Sequence, residues 1–311
     1  MKNVIFGTGP LGRAVLEQLL KNGETARMVN RSGKMPNVAG NVEVVKADAY
    51  DLESAKRAAQ GASVVYNCTA PEYSTKAWTT QLPILWGNIL KSAVTNNAKL
   101  IIGDNLYMYD QAGTGIHEQL PMQSTAGKGK ARVVVVQQML TAHNSGIAQV
   151  TFARGADFFG EYATEQSHLG SRVIPALLNG KPAQFVGSLD LPHTMTYIKD
   201  FGRAMVMLAA HDEAFGRAWH VPNAPAKTKR QILALLEPMV GRATKVQIMN
   251  KLMLQALGLF MPPLREVNEM IYQFEQPYIV DSSQFVAAFG DIHTPLETAL
   301  QETVAWFRKL A

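Results

Sequence analysis

The chain opens Met-Lys-Asn-Val-Ile-Phe-Gly-Thr-Gly-Pro-Leu-Gly, and this short stretch constrains the fold more than any other. An apolar run, Val4 to Phe6, stops at Gly7. Gly7, Gly9 and Gly12 then fall as G-x-G-x-x-G, and an amphipathic stretch begins at once with Leu11, Ala14, Val15, Leu16, Leu19 and Leu20. That order predicts strand, tight turn, helix, the context in which the motif binds a dinucleotide. Gly7 permits the turn, Gly9 lets backbone approach a pyrophosphate, and Gly12 lets helix pack close to strand. The helix start offers unpaired N–H groups and a positive dipole end to phosphates.

The same alternation continues. Strands are expected at Val4–Phe6, Ala26–Asn30, Val42–Val45, Val64–Cys68, Leu100–Gly103 and Ala148–Ala153. Helices are expected at Leu11–Lys21, Leu52–Gln60, Trp78–Asn96 and Ala131–His143. Strands alternating with helical periods predict an α/β fold, a doubly wound parallel sheet of Rossmann type. Beyond residue 160 the rhythm breaks into Gly- and Pro-rich segments, with a helix at Asp200–Ala210, a strand at Ala218–Val221, and further helices at Lys229–Val240, Lys251–Phe260 and Pro295–Leu310. The expected organisation is a dinucleotide-binding domain over 1–160, joined by a later contribution from about 194–222, and a smaller C-terminal, substrate-binding part over 161–311.

Which dinucleotide is bound depends on the end of the second strand. An NAD site places a carboxylate there for the ribose 2′-OH. This chain has Asn30-Arg31-Ser32 instead. Arg31 can clamp a 2′-phosphate, Ser32 can add a hydroxyl, and Arg13 and Lys34 add positive charge. NADP(H) is therefore expected over NAD(H). The net charge of +5 suits an anionic cofactor, and with 30 basic residues interspersed among 25 acidic ones there is no nucleic-acid tract. The single cysteine, Cys68, lies in a buried-strand pattern and reads as a core thiol; no disulfide and no cysteine metal site follow. His117, His168 and His193 sit in loop-like sequence without metal spacing, so no metal is expected. The apolar run Leu252–Leu264 is interrupted by Gln255, Gly258 and Pro262-Pro263, so no membrane span is expected. With the first strand beginning directly, the expectation is a cytoplasmic protein without a leader. The Met-rich stretch Met239–Met270 reads as core packing before ligand lining.

Six segments in order carry a resemblance. They are the Gly7–Gly12 loop; Lys46-Ala47-Asp48-Ala49 followed by Asp51; Gly61 through Ala70; Arg154-Gly155-Ala156-Asp157-Phe158-Phe159-Gly160; Tyr197-Ile198-Lys199-Asp200 followed by Ala204; and Thr294-Pro295-Leu296 with Thr303 to Phe307. Together they resemble an extended short-chain dehydrogenase/reductase of the NAD-dependent epimerase/dehydratase type, over nearly the full length. The resemblance implies cofactor contacts from Gly7, Gly9, Pro10, Leu11 and Gly12, from Arg31 and Ser32, from Asp48 and Ala49 near adenine, and from Thr69 and Ala70. It also implies a Tyr-x-x-x-Lys pair and a strand-end Ser or Thr, the tyrosine exchanging a proton with a carbonyl and the lysine holding the nicotinamide ribose.

Here the match departs. The helix reads Ser124-Thr125-Ala126-Gly127-Lys128-Gly129-Lys130. Alignment on the helix that follows makes Lys130 the lysine and Ala126 the tyrosine position; choosing Lys128 makes it Ser124. Asn105 stands where the strand-end hydroxyl belongs, four residues before Tyr109. This is similar to the atypical branch of the superfamily. Tyr107 and Lys130 are the candidate proton donors, Asn105 a group to polarise a carbonyl, and Tyr73 and Tyr162 candidates to line the pocket. The expected function is an NADP(H)-dependent oxidoreductase acting on a small carbonyl or sugar-like molecule with altered acid–base machinery. The alternative is a catalytically inactive NADP(H)-binding regulator or redox sensor. The run Val133–Val136 reads as a helix buried on more than one side. In the family the equivalent helix often forms a dimer interface, so a homodimer is the expected assembly.

Overall fold

A computed structural model describes residues 2–38, 40, 42–110, 115–125, 127–258 and 260–310. Its centre is a seven-stranded parallel sheet. The strands are β1 (Asn3–Phe6), β2 (Ala26–Asn30), β3 (Glu43–Lys46), β4 (Val64–Asn67), β5 (Lys99–Asp104), β6 (Val150–Arg154) and β7 (Ala218–His220), in the spatial order β7-β6-β5-β4-β1-β2-β3. This is the doubly wound order: the sequence runs outward from β1 in one direction, then resumes at β4 in the other. Its reversal between β1 and β4 opens a crevice outside their carboxyl ends, where such sheets hold ligands. Both faces of the central strands are covered, so β1 and β4 are buried at every position, which is why they read as unbroken apolar runs.

Helix α1 (Pro10–Lys21) follows β1. Proline opens it and Ala14, Val15, Leu16 and Leu19 pack inward. Helix α2 (Leu52–Ala58) is capped by Asp51, whose carboxylate accepts the Ser54 N–H. The sequence predicts one helix over Trp78–Asn96; the structure has two, α3 (Thr75–Thr80) and α4 (Leu82–Thr95). Pro83 in the first turn of α4 has no N–H to continue α3, and Ser74 caps α3 at its own start. Helix α5 (Gly127–Asn144) begins before the expected Ala131. Among its four valines Val135 and Val136 are buried while Val134 is exposed. Helix α6 (Ile198–Ala210) completes this set.

The chain forms two compact units. The first holds 1–110, 121–155 and 201–221; the second holds 111–120, 156–200 and 222–311. The second unit has its own core, in which Phe159, Val173, Ile174, Leu177, Phe185, Leu236, Leu300 and Phe307 pack together. Its helices include Lys229–Val240, where Thr228 and Gln231 form a capping box, and Leu296–Arg308. No helix among the described residues is long and apolar enough to cross a membrane.

Candidate active site

The glycine loop is built as its spacing requires. Gly7 has φ +101°, in the left-handed region, and a Cβ there would lie 2.7 Å from the Cys68 carbonyl oxygen. A Cβ on Gly12 would lie 2.0 Å from the Gly7 carbonyl oxygen. On Gly9 it would meet nothing within 4 Å. The first and third glycines are thus demanded by the protein itself. The middle one faces open space in front of the α1 N-terminus, the cradle a pyrophosphate needs.

At the end of β2, Asn30 occupies the position of the missing carboxylate. Its Nδ2 donates to Thr8 Oγ1 (3.1 Å) and the Lys34 carbonyl (2.9 Å), and its Oδ1 accepts from Gly33 N–H (2.7 Å) and Ser32 Oγ (3.0 Å). The amide therefore ties the glycine loop to the β2 turn. Arg31, Ser32 and Lys34 are exposed on that turn. Arg13 directs its guanidinium to the Pro36 carbonyl. After β3, Asp48 accepts the Tyr50 N–H, and Asn88 holds the Ala49 and Tyr50 carbonyls. After β4, Asn67 accepts from Thr69 Oγ1 at 2.6 Å, and the Trp86 indole donates to the Thr69 carbonyl. These residues hold the edge of the crevice in one shape. Desolvation pushes the Cys68 thiol up.

The two candidate lysines differ in burial. Lys130 is exposed, whereas Lys128 is fully buried. Lys128 Nζ donates to Thr75 Oγ1 at 3.3 Å and sits 4.9 Å from the centre of the Tyr73 ring. The register of α5 decides this: Gly129 lies against the Tyr107 backbone, where a Cβ would come within 2.6 Å of the Tyr107 carbonyl oxygen and 2.1 Å of Ser124 Oγ. Ser124, four residues before Lys128, is buried, and its hydroxyl finds no hydrogen-bond partner among the described residues. Ala126 lies outside the described residues.

Tyr107 sits in the one-turn helix after β5 and is half-buried. Asn105 Oδ1 accepts its backbone N–H at 3.2 Å, so Asn105 shapes this turn. Trp78 stacks on the Tyr107 ring at 5.6 Å, and the Tyr73 and Tyr107 hydroxyls lie 3.4 Å apart. The structure thus brings together Tyr73, Tyr107 and Lys128. Tyr162 instead packs its ring on Trp306 in the second unit, 5.0 Å between centroids.

Beneath this cluster lies an ionic network the sequence does not reveal. Asp104, at the end of β5, lies 3.1 Å from Arg132 Nη1 and accepts Arg154 Nε at 3.1 Å, all three groups buried. Arg154 Nη1 also donates to the Tyr109 hydroxyl, which meets His220 Nε2 at 3.1 Å. The Arg132 guanidinium is held between Trp78 and Trp86, 4.5 and 4.6 Å from their ring centres. Burial pushes the Arg132 pKa down, and Asp104 opposes it.

The second unit carries its own cluster. Asp157 Oδ2 meets His193 Nε2 at 2.7 Å and His168 Nε2 at 3.4 Å. His193, in loop-like sequence, lies in a two-residue strand, Pro192–His193, and is buried and stacked with Phe274 and Tyr278. Burial alone would raise the Asp157 pKa, but the His168 charge and the two imidazole hydrogen bonds hold it far below the usual carboxylate range. Burial pushes His193 down, against its hydrogen bond to Asp157. Lys229 donates to the Val186 and Ser188 carbonyls, and burial brings it down to about 8.

The pattern of the NAD dependent epimerase/dehydratase family matches residues 4–221. The chain belongs to that family. Its fold is shared by UDP-glucuronic acid 4-epimerase from Bacillus cereus in complex with NAD, at 16% identity and TM-score 0.82 over 100% of this chain and 99% of that one. The dTDP-glucose 4,6-dehydratase DesIV from Streptomyces venezuelae is similar at 15% identity and TM-score 0.80, covering 99% and 97% of the two chains. UDP-glucose 4-epimerase from Thermus thermophilus is similar at 17% identity and TM-score 0.78, covering all of both. No curated protein sequence matches the chain.

Proposed function

We propose that this family member is an oxidoreductase that prefers NADP(H) over NAD(H) and acts on a small carbonyl or sugar-like substrate, with Tyr107 as its proton donor. The observation that carries the reading is the convergence of Tyr107, Tyr73 and buried Lys128 at the carboxyl ends of β4 and β5, next to the glycine loop of an epimerase/dehydratase-type sheet. When bound, the nicotinamide supplies or accepts the hydride. The protein holds its pyrophosphate at Gly7–Gly12, its adenosine at Asp48 and Ala49, and its central part at Thr69 and Ala70. Lys128 takes the place of Lys130 as the cation of the site. Tyr107 Oη gives a proton to the substrate oxygen, and the Asn105 amide hydrogen-bonds that oxygen.

The NADP(H) preference rests on Asn30 in the carboxylate's place and on exposed Arg31 and Ser32 beside it, although the relatives named above are NAD complexes. Calorimetric titration with NADPH and NADH, on the wild type and on Arg31→Ala, decides it. NADPH should bind more tightly, and Arg31→Ala should cost it about tenfold, or about 1.4 kcal/mol, with NADH little affected. Equal or tighter NADH binding overturns the preference.

A second reading, an NADP(H)-binding sensor without turnover, draws on the sequence having no tyrosine four residues before either lysine. Cofactor binding with no substrate-dependent oxidation across a panel of aldehydes, ketones and sugar nucleotides favours it. The assembly we propose is a homodimer through α5, on which Val134 is exposed.

A further inference from the structure

Two phenols reach one point from two different strand ends. β4 and β5 are neighbours in the sheet, so the segments leaving their carboxyl ends emerge side by side. The first brings Tyr73 and the second Tyr107, with hydroxyls 3.4 Å apart. Trp78 holds both rings, edge-on to Tyr73 at 6.0 Å and stacked on Tyr107 at 5.6 Å. Lys128 places its ammonium 4.9 Å from the Tyr73 ring centre. One helical turn further along α5, Arg132 lies against Trp78. Tyr73 is 42% exposed, whereas Tyr107 is half-buried.

We propose that Tyr73 and Tyr107 work as one proton-transfer unit, in which Tyr107 exchanges the proton with the substrate oxygen and Tyr73 connects Tyr107 to solvent. The proposal rests on the reading of Tyr107 as donor and adds the group that reloads it. In the reducing direction a bound reduced nicotinamide dinucleotide would be the source of the hydride that the carbonyl carbon takes. The C=O π bond breaks, and the oxygen takes the proton of Tyr107 Oη. The Tyr107 phenolate takes the proton of Tyr73 Oη, and the Tyr73 phenolate takes one from water, so charge and protons balance. Oxidation runs the same steps backwards.

The distances suit this order. Two neutral phenols at 3.4 Å are further apart than the usual O–H···O separation. Once one is ionised, the charge-assisted hydrogen bond favours about 2.5–2.7 Å, so the pair closes when the proton has left. A cation over the Tyr73 ring face stabilises the phenolate more than the phenol, which favours Tyr73 as the member that carries the charge in transit. Tyr73 acts through Tyr107 and is a positioning and relay residue. Two hydroxyls on the segments leaving two neighbouring strands do here what one tyrosine on α5 does in the family pattern.

Tyr73→Phe keeps the ring and its contacts and removes only the hydroxyl. We expect kcat to fall about tenfold or more with KM for substrate and cofactor within about twofold, and imidazole buffer to restore part of the loss. The same loss without imidazole rescue, or no loss in kcat, overturns the relay. A readout that needs no substrate is the alkaline titration of phenolate absorbance in the wild type, Tyr73→Phe, Tyr107→Phe and the double variant. Coupled phenols give single-variant changes that do not sum to the double; additive changes overturn the pair while leaving Tyr107 as donor intact. Coupled titration with no turnover on any carbonyl overturns the enzymatic reading and leaves the phenol pair standing.

Discussion

The two units each set one carboxylate between two basic side chains, and they do it with different chemistry. Asp104 in the first unit is paired with Arg132 and Arg154. Asp157 in the second is paired with His168 and His193. Guanidinium keeps its charge throughout the accessible pH range, whereas imidazole changes charge between about pH 5 and 8. The first cluster is therefore a fixed framework under the strand ends that carry Tyr107 and Tyr109. The second holds its carboxylate with imidazoles, with Lys229 over the Phe274 ring and the rings of Phe274 and Tyr278 stacked on His193.

The largest expected effect tests the fixed framework. Asp104→Ala leaves two guanidiniums buried without their counter-charge and should cost about 3–5 kcal/mol of unfolding free energy, by the same amount at pH 5.5 and pH 8. Chemical denaturation at the two pH values measures it. A cost below about 1 kcal/mol, or one that changes with pH, would remove the contrast between the clusters.

The next tests the imidazole cluster. His193 has a folded pKa below its unfolded value of about 6.5, so below that pH the unfolded chain binds more protons than the folded one. Stability is full above about pH 6.5 and falls as pH drops toward the folded value, by at most about 1.4 kcal/mol per pH unit from this group. His193→Gln should flatten that slope. Asp157 acts in the same direction lower on the pH scale: its folded pKa is depressed, so its contribution is full at neutral pH and is lost as pH falls below the unfolded value of about 4. A wild-type slope between pH 6.5 and 5 that survives in His193→Gln would show that another group carries it.

The smallest expected effect is a contrast within one helix. Lys128→Met should lower kcat on an active substrate by tenfold or more, whereas Lys130→Met should leave stability within about 0.5 kcal/mol of wild type and kcat within about twofold. Equal effects would mean that the buried lysine is packing alone.

How much of this was legible beforehand follows the range of each interaction. The glycine loop, the strand–helix alternation, the helix at Lys229–Val240 and the absence of a carboxylate after β2 are local patterns, readable from a dozen consecutive residues. The choice between Lys128 and Lys130 was not readable. Two residues apart on a helix they point about 200° apart, so only one faces inward, and periodicity without a known helix start selects neither. The close approach of Gly129 to the Tyr107 turn goes with the burial of Lys128. His193 looked like a loop residue because its partners, Asp157, Phe274 and Tyr278, lie 36 or more positions away.

The sequence by itself determined the parallel α/β sheet, the phosphate loop and the family, because each follows from short-range periodicity and from glycines that only one backbone geometry explains. Only the tertiary structure decided which lysine is buried, that Asp104 and Asp157 are each shared by two bases, and that Tyr73 meets Tyr107. Apart from Asp157 with His168, 11 positions apart, those contacts join residues 28 or more positions apart through sheet order and helix register. Such distances along the chain leave no periodic trace, so chemistry between side chains appears only after the strands have chosen their neighbours.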